Sequence, residues 1–305
     1  MSRLIPQEEG IAVTIDNLTF KYDQAPSPTL KGFNLSLPKG SRCLLIGQNG
    51  AGKSTLLRVV GGRHLAKPDN AVVVLGRHAF RDTKLNMVRS YLDMDWGMRT
   101  VSFAGYGVPL QADIAVKNMM AKMQAENPER RDELTELLGV DPEWRMHQVS
   151  DGQRRRVQLL LGLVRPFDIL LLDEITTSLD VVVRQDLLQW LRRESEVRGA
   201  TIIYATHIFD GLDDWPSHLT YLTANGATGW QGRIEDLQLY RTLRAEGKPA
   251  LLNVACTWLR DELNAQRAAK HKEAASGESV HENALKPFES GGGFAPGRLV
   301  SQLDG

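Results

Sequence analysis

Gly47-Gln48-Asn49-Gly50-Ala51-Gly52-Lys53-Ser54-Thr55 spells glycine, four residues, then Gly-Lys-Ser/Thr, the pattern of a loop that cradles nucleotide phosphates. The apolar run Cys43-Leu44-Leu45-Ile46 before it reads as a buried strand, and Leu56-Leu57 with Val59-Val60 after it as the buried face of a helix. Glycines at 47, 50 and 52 allow the backbone to curl, so that the N–H groups from Gly47 through Asn49, Ala51 and Thr55 and the positive helix N-terminus can hold anionic oxygens. Lys53 is expected between the outer two phosphates. Ser54 is expected to offer its hydroxyl to Mg²⁺, which prefers oxygen ligands. A glycine-rich turn that merely joins a strand to a helix is the plainer reading. It does not account for Gly-Lys-Ser at the right offset between strand and helix. The match specifies a nucleotide, not a reaction.

At 305 residues the chain can hold one large α/β domain with an appendage, or two modest domains. Its 37 basic and 37 acidic residues cancel, so no global field favours nucleic acid or an anionic membrane. There are two cysteines, Cys43 and Cys256, and the first falls in a strand, which suggests reduced thiols inside a cell. The first nine residues break their apolar character at Pro6 and lack the core of a secretory signal, so export is not expected. No window approaches the roughly 18 apolar residues of a membrane-spanning helix. Work at a membrane would need another chain as anchor.

Residues 11 to 22 alternate apolar and polar side chains and read as a half-buried strand; Leu30 to Leu37 supplies a second. Together they form a small β region ahead of the nucleotide core. Tyr22 ends the first strand, and local sequence favours a partly buried strand tyrosine over a ring stacked on a base. Ala71 to Gly76 is a further short strand, followed by polar sequence through Asp95. Residues 115 to 165 read as mostly helical. Within them Glu126 to Gly139 has an early proline, early acids and a final glycine, which places Leu134, Leu137 and Leu138 inward.

Val149-Ser150-Asp151-Gly152-Gln153-Arg154-Arg155-Arg156-Val157 opens another helix, with Ser150 as N-cap. Its three arginines point in three directions on a helix, which favours a solvated or salt-bridged face over a nucleic-acid patch. Ile169 to Leu172 is a buried strand that ends in Asp173-Glu174. Asp173 is expected at the Mg²⁺ water shell and Glu174 at an attacking water. Thr201 to His207 is another β-rich run whose histidine falls at the sheet edge where α/β proteins bind ligands. Leu251, Val254, Ala255, Trp258, Leu259 and Leu263 follow helical spacing and predict one packing helix. Residues 266 to 305 are polar and glycine-rich and read as a mobile tail.

With these motifs placed, the chain resembles a nucleotide-binding domain of the ABC ATPase superfamily over residues 11 to about 235. The loop at 47 to 55, the signature-like turn at 149 to 153, the acidic strand end at 169 to 174, Thr177-Ser178-Leu179-Asp180 and His207 follow that family's order. The resemblance implies an α/β fold with a phosphate-loop core sheet, a small antiparallel β region, an inserted helical subdomain at about 95 to 165 and a C-terminal helical and disordered tail. It implies an ATPase domain over 1 to 240 and an appendage over 241 to 305. It also moves Tyr22 to the base-stacking reading. Two such domains would pair head to tail, as a homodimer or with another ABC domain, and bury two ATP. Ser150 and Gly152 would then act in trans, with Asp151 and Gln153 of the same turn at the nucleotide, Asp180 would lie at the seam, and His207 would contact the γ-phosphate and help position the water of Glu174.

Two departures stand out. Asp151 replaces a glycine and puts a carboxylate near a triphosphate, unless it turns toward an arginine. The glutamine that links Mg²⁺ to the helical subdomain lacks its usual neighbourhood, and Gln111 is the candidate for it. More narrowly, residues 150 to 157 and Ala205 to Gly211 look like those of a eukaryotic group of soluble ABC proteins. That group includes short plant relatives and a yeast factor associated with the carbon-catabolite-repression/Not transcription-regulatory complex. The group implies cytoplasmic or nuclear residence. The rival functions are the ATPase subunit of a transporter with separate membrane chains and a scaffold that binds ATP but turns it over slowly.

Overall fold

The structure is a computed structural model that describes residues 10–94, 96, 100–103, 106–109 and 113–276. Its strands in chain order are β1 (Ile11–Phe20), β2 (Leu30–Pro38), β3 (Arg42–Gly47), β4 (Val72–Val74), β5 (Arg77–His78), β6 (Arg89–Leu92), β7 (Thr100–Phe103), β8 (Tyr106–Pro109), β9 (Ile169–Asp173), β10 (Thr201–Ala205), β11 (His218–Leu222) and β12 (Thr228–Arg233). The helices are α1 (Lys53–Val60), α2 (Ala121–Glu126), α3 (Pro128–Leu138), α4 (Asp151–Leu163), α5 (Val181–Arg198), α6 (Gln238–Ala245) and α7 (Ala250–Ser276).

The fold is α/β. A six-stranded sheet has the order β12-β11-β3-β10-β9-β6, and every neighbouring pair in it is parallel except β11 with β12. Parallel strands covered on both faces read as unbroken apolar runs, which is why β3, β9 and β10 are buried along their whole length. Side chains alternate between the faces. Leu44, Ile46, Leu170, Leu172, Ile202 and Tyr204 join the core that contains Leu160 of α4, Leu187 of α5 and Leu251 of α7. Cys43, Leu45, Ile169, Leu171, Ile203 and Ala205 join the other core, built with Leu57 and Val60 of α1.

That second core also takes Val13, Ile15, Phe33 and Leu35 from an antiparallel sheet of order β2-β1-β4-β5. Its first strand is interrupted at Asn17, whose φ of 44° accompanies a register shift against β2. The region read as helical holds α2, α3 and α4, and the β7–β8 hairpin precedes it. Pro128 starts α3, Gly139 at φ 57° ends it, Leu134 and Leu138 are buried, and Leu137 is half-buried.

The chain divides into two compact units, Met1–Glu262 and Leu263–Gly305. The first extends past residue 240, because Ala250, Leu251, Val254 and Ala255 are buried in its core and Trp258 and Leu259 pack against them. Leu263, the last position of the predicted apolar stripe, is exposed. In the second unit α7 continues to Ser276, so residues 266 to 276 are helix where a tail was expected; the rest of the expected tail lies outside the described residues.

Candidate functional site

Three neighbouring strands bring the chemistry together. Ala205 at the end of β10 pairs with Leu45 of β3 on one side and with Asp173 of β9 on the other, so the segments that follow all three strands leave the same sheet edge. The glycine loop follows β3. A Cβ on Gly47 would lie 2.5 Å from the Leu222 carbonyl oxygen, and Gly52 holds φ 107° with a would-be Cβ 3.0 Å from Leu30. Neither position admits a side chain. Gly52 is also the N-cap of α1, whose first turn carries no acid and whose N–H groups take no side-chain cap. That end is therefore suited to an anion.

Lys53 is almost buried, and its Nζ donates to the carbonyls of Gly47 at 2.8 Å and Gln48 at 3.1 Å. Burial lowers its pKa, while Glu174 and Asp173 oppose that shift. Burial raises the pKa of Asp173, a hydrogen bond from Ser54 pulls it down, and Glu174 pushes it up. The Tyr91 hydroxyl lies 3.4 Å from Asp173 Oδ2. Glu174 sits at φ 54°, a region that L-residues rarely occupy, and its N–H donates to the Ala205 carbonyl at 2.9 Å. Its Oε1 is 2.9 Å from Nε2 of His207. The pKa of His207 is lowered, first by burial and then by Lys53, against the pull of Glu174.

The Ser54 hydroxyl and the Asp173 carboxylate, joined by a hydrogen bond, form a pair of hard oxygen donors. Among the described residues no group of three or more His, Cys, Asp and Glu could cage a metal ion. Two protein oxygens, with phosphates and water completing the shell, suit Mg²⁺. The donors fit.

Tyr22 is half-buried, with its hydroxyl 3.2 Å from Thr55 Oγ1 and its ring edge-to-face with Phe20 and His64. The ring is thus fixed beside α1. Gln111 lies outside the described residues.

A second cluster gathers at the start of α4. Ser150 Oγ accepts from the Gln153 N–H at 3.2 Å, and Gln153 Oε1 accepts from the Ser150 N–H at 2.8 Å, a reciprocal cap. Asp151 is exposed and turned to Arg154 at 2.6 Å. A Cβ on Gly152 would meet the Ser178 carbonyl at 3.4 Å. Asp180 caps α5 through the Val183 N–H at 3.0 Å and pairs with Arg156 at 2.6 Å; the Val183 bond leads in holding its carboxyl below the usual range. Arg155 donates to the Asp93 carbonyl at 2.8 Å. All three arginines are therefore engaged within the protein. The turn from Glu174 to Asp180 joins the two clusters, with Thr177 Oγ1 donating to the Glu174 carbonyl at 3.1 Å.

Sequence reasoning did not find Tyr91. Its segment reads as polar sequence, and its place appears only when β6 pairs in parallel with β9 and sets Tyr91 beside Leu171.

The ABC transporter family profile matches residues 30–177. The chain is 43% identical over 316 residues to ABC transporter I family member 20 of Arabidopsis thaliana, covering 98% of this chain and 94% of that one. It is 37% identical over 226 residues to CCR4-associated factor 16 of Saccharomyces cerevisiae, covering 69% of this chain and 75% of that one. The dimeric structure of a post-hydrolysis state of an ATP-binding cassette bound to ADP and Pi superposes with a TM-score of 0.60 at 20% identity, over 74% of this chain and all of that one. At that identity the likeness concerns the fold alone. Among the described residues no helix is long and apolar enough to cross a membrane.

Proposed function

The chain belongs to the ABC transporter family, and on that premise we propose that it binds ATP with Mg²⁺, hydrolyses it, and closes head to tail with a second ABC domain around two nucleotides. The observation that carries this reading is the convergence of Lys53, Asp173, Glu174 and His207 at one sheet edge. The triphosphate lies along the N-terminus of α1, cradled by N–H groups from Gly50 to Thr55, with the base against Tyr22. Lys53 exchanges the carbonyls of Gly47 and Gln48 for phosphate oxygens, a gain because an ammonium pairs better with an anion than with a neutral carbonyl. Ser54 and Asp173 would hold Mg²⁺. Bound there, the ion supplies positive charge that offsets charge developing on the β- and γ-phosphates.

Glu174 acts as general base. A water attacks the γ-phosphorus, the bond to the bridging oxygen breaks, ADP leaves, and the water's proton goes to the carboxylate. His207, whose neutral form burial and Lys53 favour, donates its Nε2–H to Oε1 and leaves the other oxygen for that water. The signature turn acts on the partner's nucleotide: the N-terminus of α4, capped by Ser150 and open at Gly152, presents N–H groups to the γ-phosphate. The dimeric cassette of similar fold supports this pairing.

A regulatory role linked to transcription-regulatory complexes is supported by the likeness to the yeast factor, whose name associates it with CCR4. Mg²⁺-dependent phosphate release by the purified protein, with light scattering of Glu174→Gln with and without ATP, tests the catalytic reading. No hydrolysis and no nucleotide binding would overturn it. Affinity purification from cells, with and without the membrane fraction, tests the regulatory one. Recovery of membrane-transport proteins instead of regulatory-complex subunits would replace it with the transporter reading.

A further inference from the structure

At the opposite end of β3, where Arg42 begins the strand, lies a recess of about 850 Å³. This is within the range of small-molecule sites, roughly 300–1,000 Å³. Five arginines from four elements line it: Arg42 of β3, Arg192 of α5, Arg233 of β12, and Arg241 and Arg244 of α6. Three carboxylates share the lining, and each is already engaged. Asp214 pairs with Arg244, Glu235 pairs with Arg233 at 3.3 Å, and Asp213 accepts the Leu251 N–H at 2.7 Å where α7 begins.

The remaining guanidiniums are under-compensated. Glu196 serves both Arg42, at 3.2 Å, and Arg192, at 2.8 Å. Arg42 is nearly buried and is held in place by the Trp215 carbonyl at 2.6 Å and Ser195 Oγ at 3.2 Å. Its pKa is lowered, above all by burial, with Arg192 adding to the effect against Glu196. Arg241 has no ion-pair partner among the described residues and bonds to Gln238 Oε1 at 2.6 Å. With Glu196 counted beside the three lining carboxylates, the five guanidiniums of this concavity keep an excess of positive charge and of N–H donors that an entering anion would offset.

The lining also limits the occupant. Its apolar part is Pro216, Ile234 and Ala245, with the ring of Tyr240, which offers little surface to a large hydrophobic body. Planar guanidinium forks match phosphate oxygens in pairs, and several of them around one cavity match several phosphates. We propose that this recess is a second anion site, remote from the phosphate loop, that takes a compact ligand bearing two or more phosphate groups.

The test uses the full chain with Lys53→Ala, so that the phosphate loop does not compete, and inositol hexakisphosphate as the probe in isothermal titration calorimetry at physiological ionic strength. Saturable binding is expected, with an affinity about tenfold or more weaker in Lys53→Ala/Arg233→Ala/Arg241→Ala, the loss expected of charge-assisted hydrogen bonds. Arg233 and Arg241 are exposed, and unchanged circular dichroism and melting temperature show that the variant folds. Co-sedimentation with phosphatidylcholine vesicles that carry phosphatidylinositol bisphosphate, lost in the arginine variant, assigns the ligand to a lipid headgroup. Binding of the free polyphosphate without the vesicles assigns it to a soluble metabolite. Absence of binding, equal affinity in the arginine variant, or equally tight binding of a polyglutamate peptide would each overturn the proposal.

Discussion

Nε2 of His207 lies 2.9 Å from Oε1 of Glu174, so a histidine that follows one parallel strand and a carboxylate that follows its neighbour form one hydrogen-bonded unit. The unit requires both strands to end in register. In the proposed reaction it would leave Glu174 one oxygen for the attacking water.

Replacement Glu174→Gln removes the proposed base while Lys53, Ser54 and the glycine loop remain. Turnover should fall about 100-fold or more, with nucleotide affinity little changed. Steady-state phosphate release alongside equilibrium binding of a fluorescent ATP analogue measures both. A variant as fast as the parent would remove Glu174 from the mechanism.

Asp151 places an exposed carboxylate at the turn proposed to meet the partner's triphosphate, with Arg154 offsetting part of its charge. Ser150 and Gln153 already cap α4, so the helix does not depend on Asp151. Glu174→Gln/Asp151→Gly should therefore dimerise at an ATP concentration about threefold lower than Glu174→Gln, a change on the scale of an exposed ion pair. Sedimentation over an ATP titration reads this out. A double variant that needs more ATP would show that the carboxylate assists closure.

His218 has a pKa lowered from 6.5, first by burial and then by Arg233, with Arg42 adding and Asp236 opposing. The unfolded chain therefore takes up this proton at a higher pH than the folded one. The contribution to stability is full above the unfolded value, and it is lost as pH falls through the folded value. Burial also leads in lowering His64 and His207. The melting temperature should fall from neutral pH to about pH 5, and His218→Gln should flatten that slope. An unchanged slope in the variant would remove His218 as a contributor.

Glu262 fastens α7 to the sheet: Oε2 accepts from the Tyr221 hydroxyl at 2.6 Å and Oε1 from the Ala224 N–H at 2.6 Å. Tyr221 and Trp230 pack on Trp258 beside it. Glu262→Ala strands both donors and should cost about 1–3 kcal/mol in urea unfolding. ATP affinity should be unchanged, because neither donor belongs to the phosphate loop. A stability equal to the parent's would mean that water replaces the carboxylate.

The candidate nucleotide edge was legible because its residues sit on local patterns: the glycine loop, the capped helix start at Ser150, and apolar strands that end in Asp173-Glu174 and Thr206-His207. Signals of that kind survive without knowledge of tertiary contacts. Strands β6, β11 and β12 left no such trace. Arg89 to Leu92 is one buried leucine among half-buried side chains, and Thr228 to Arg233 alternates half-buried with exposed residues and includes two glycines. The arginine recess was illegible for a related reason. Arg42, Arg192 and the group Arg233, Arg241 and Arg244 come from three distant stretches of sequence, and only the packing of four elements makes one concavity of them.

The left-handed backbone of Glu174 bears on how variants at that position are interpreted. Glycine and asparagine enter this region readily, whereas β-branched residues do so at a cost of order 1–3 kcal/mol. Valine or threonine there would shift the turn that leads to Asp180 as well as delete the proposed base. In a genetic screen, loss of function from such a codon change would have two separable causes. A glutamine allele, with the same branching at Cβ as glutamate, isolates the chemical one.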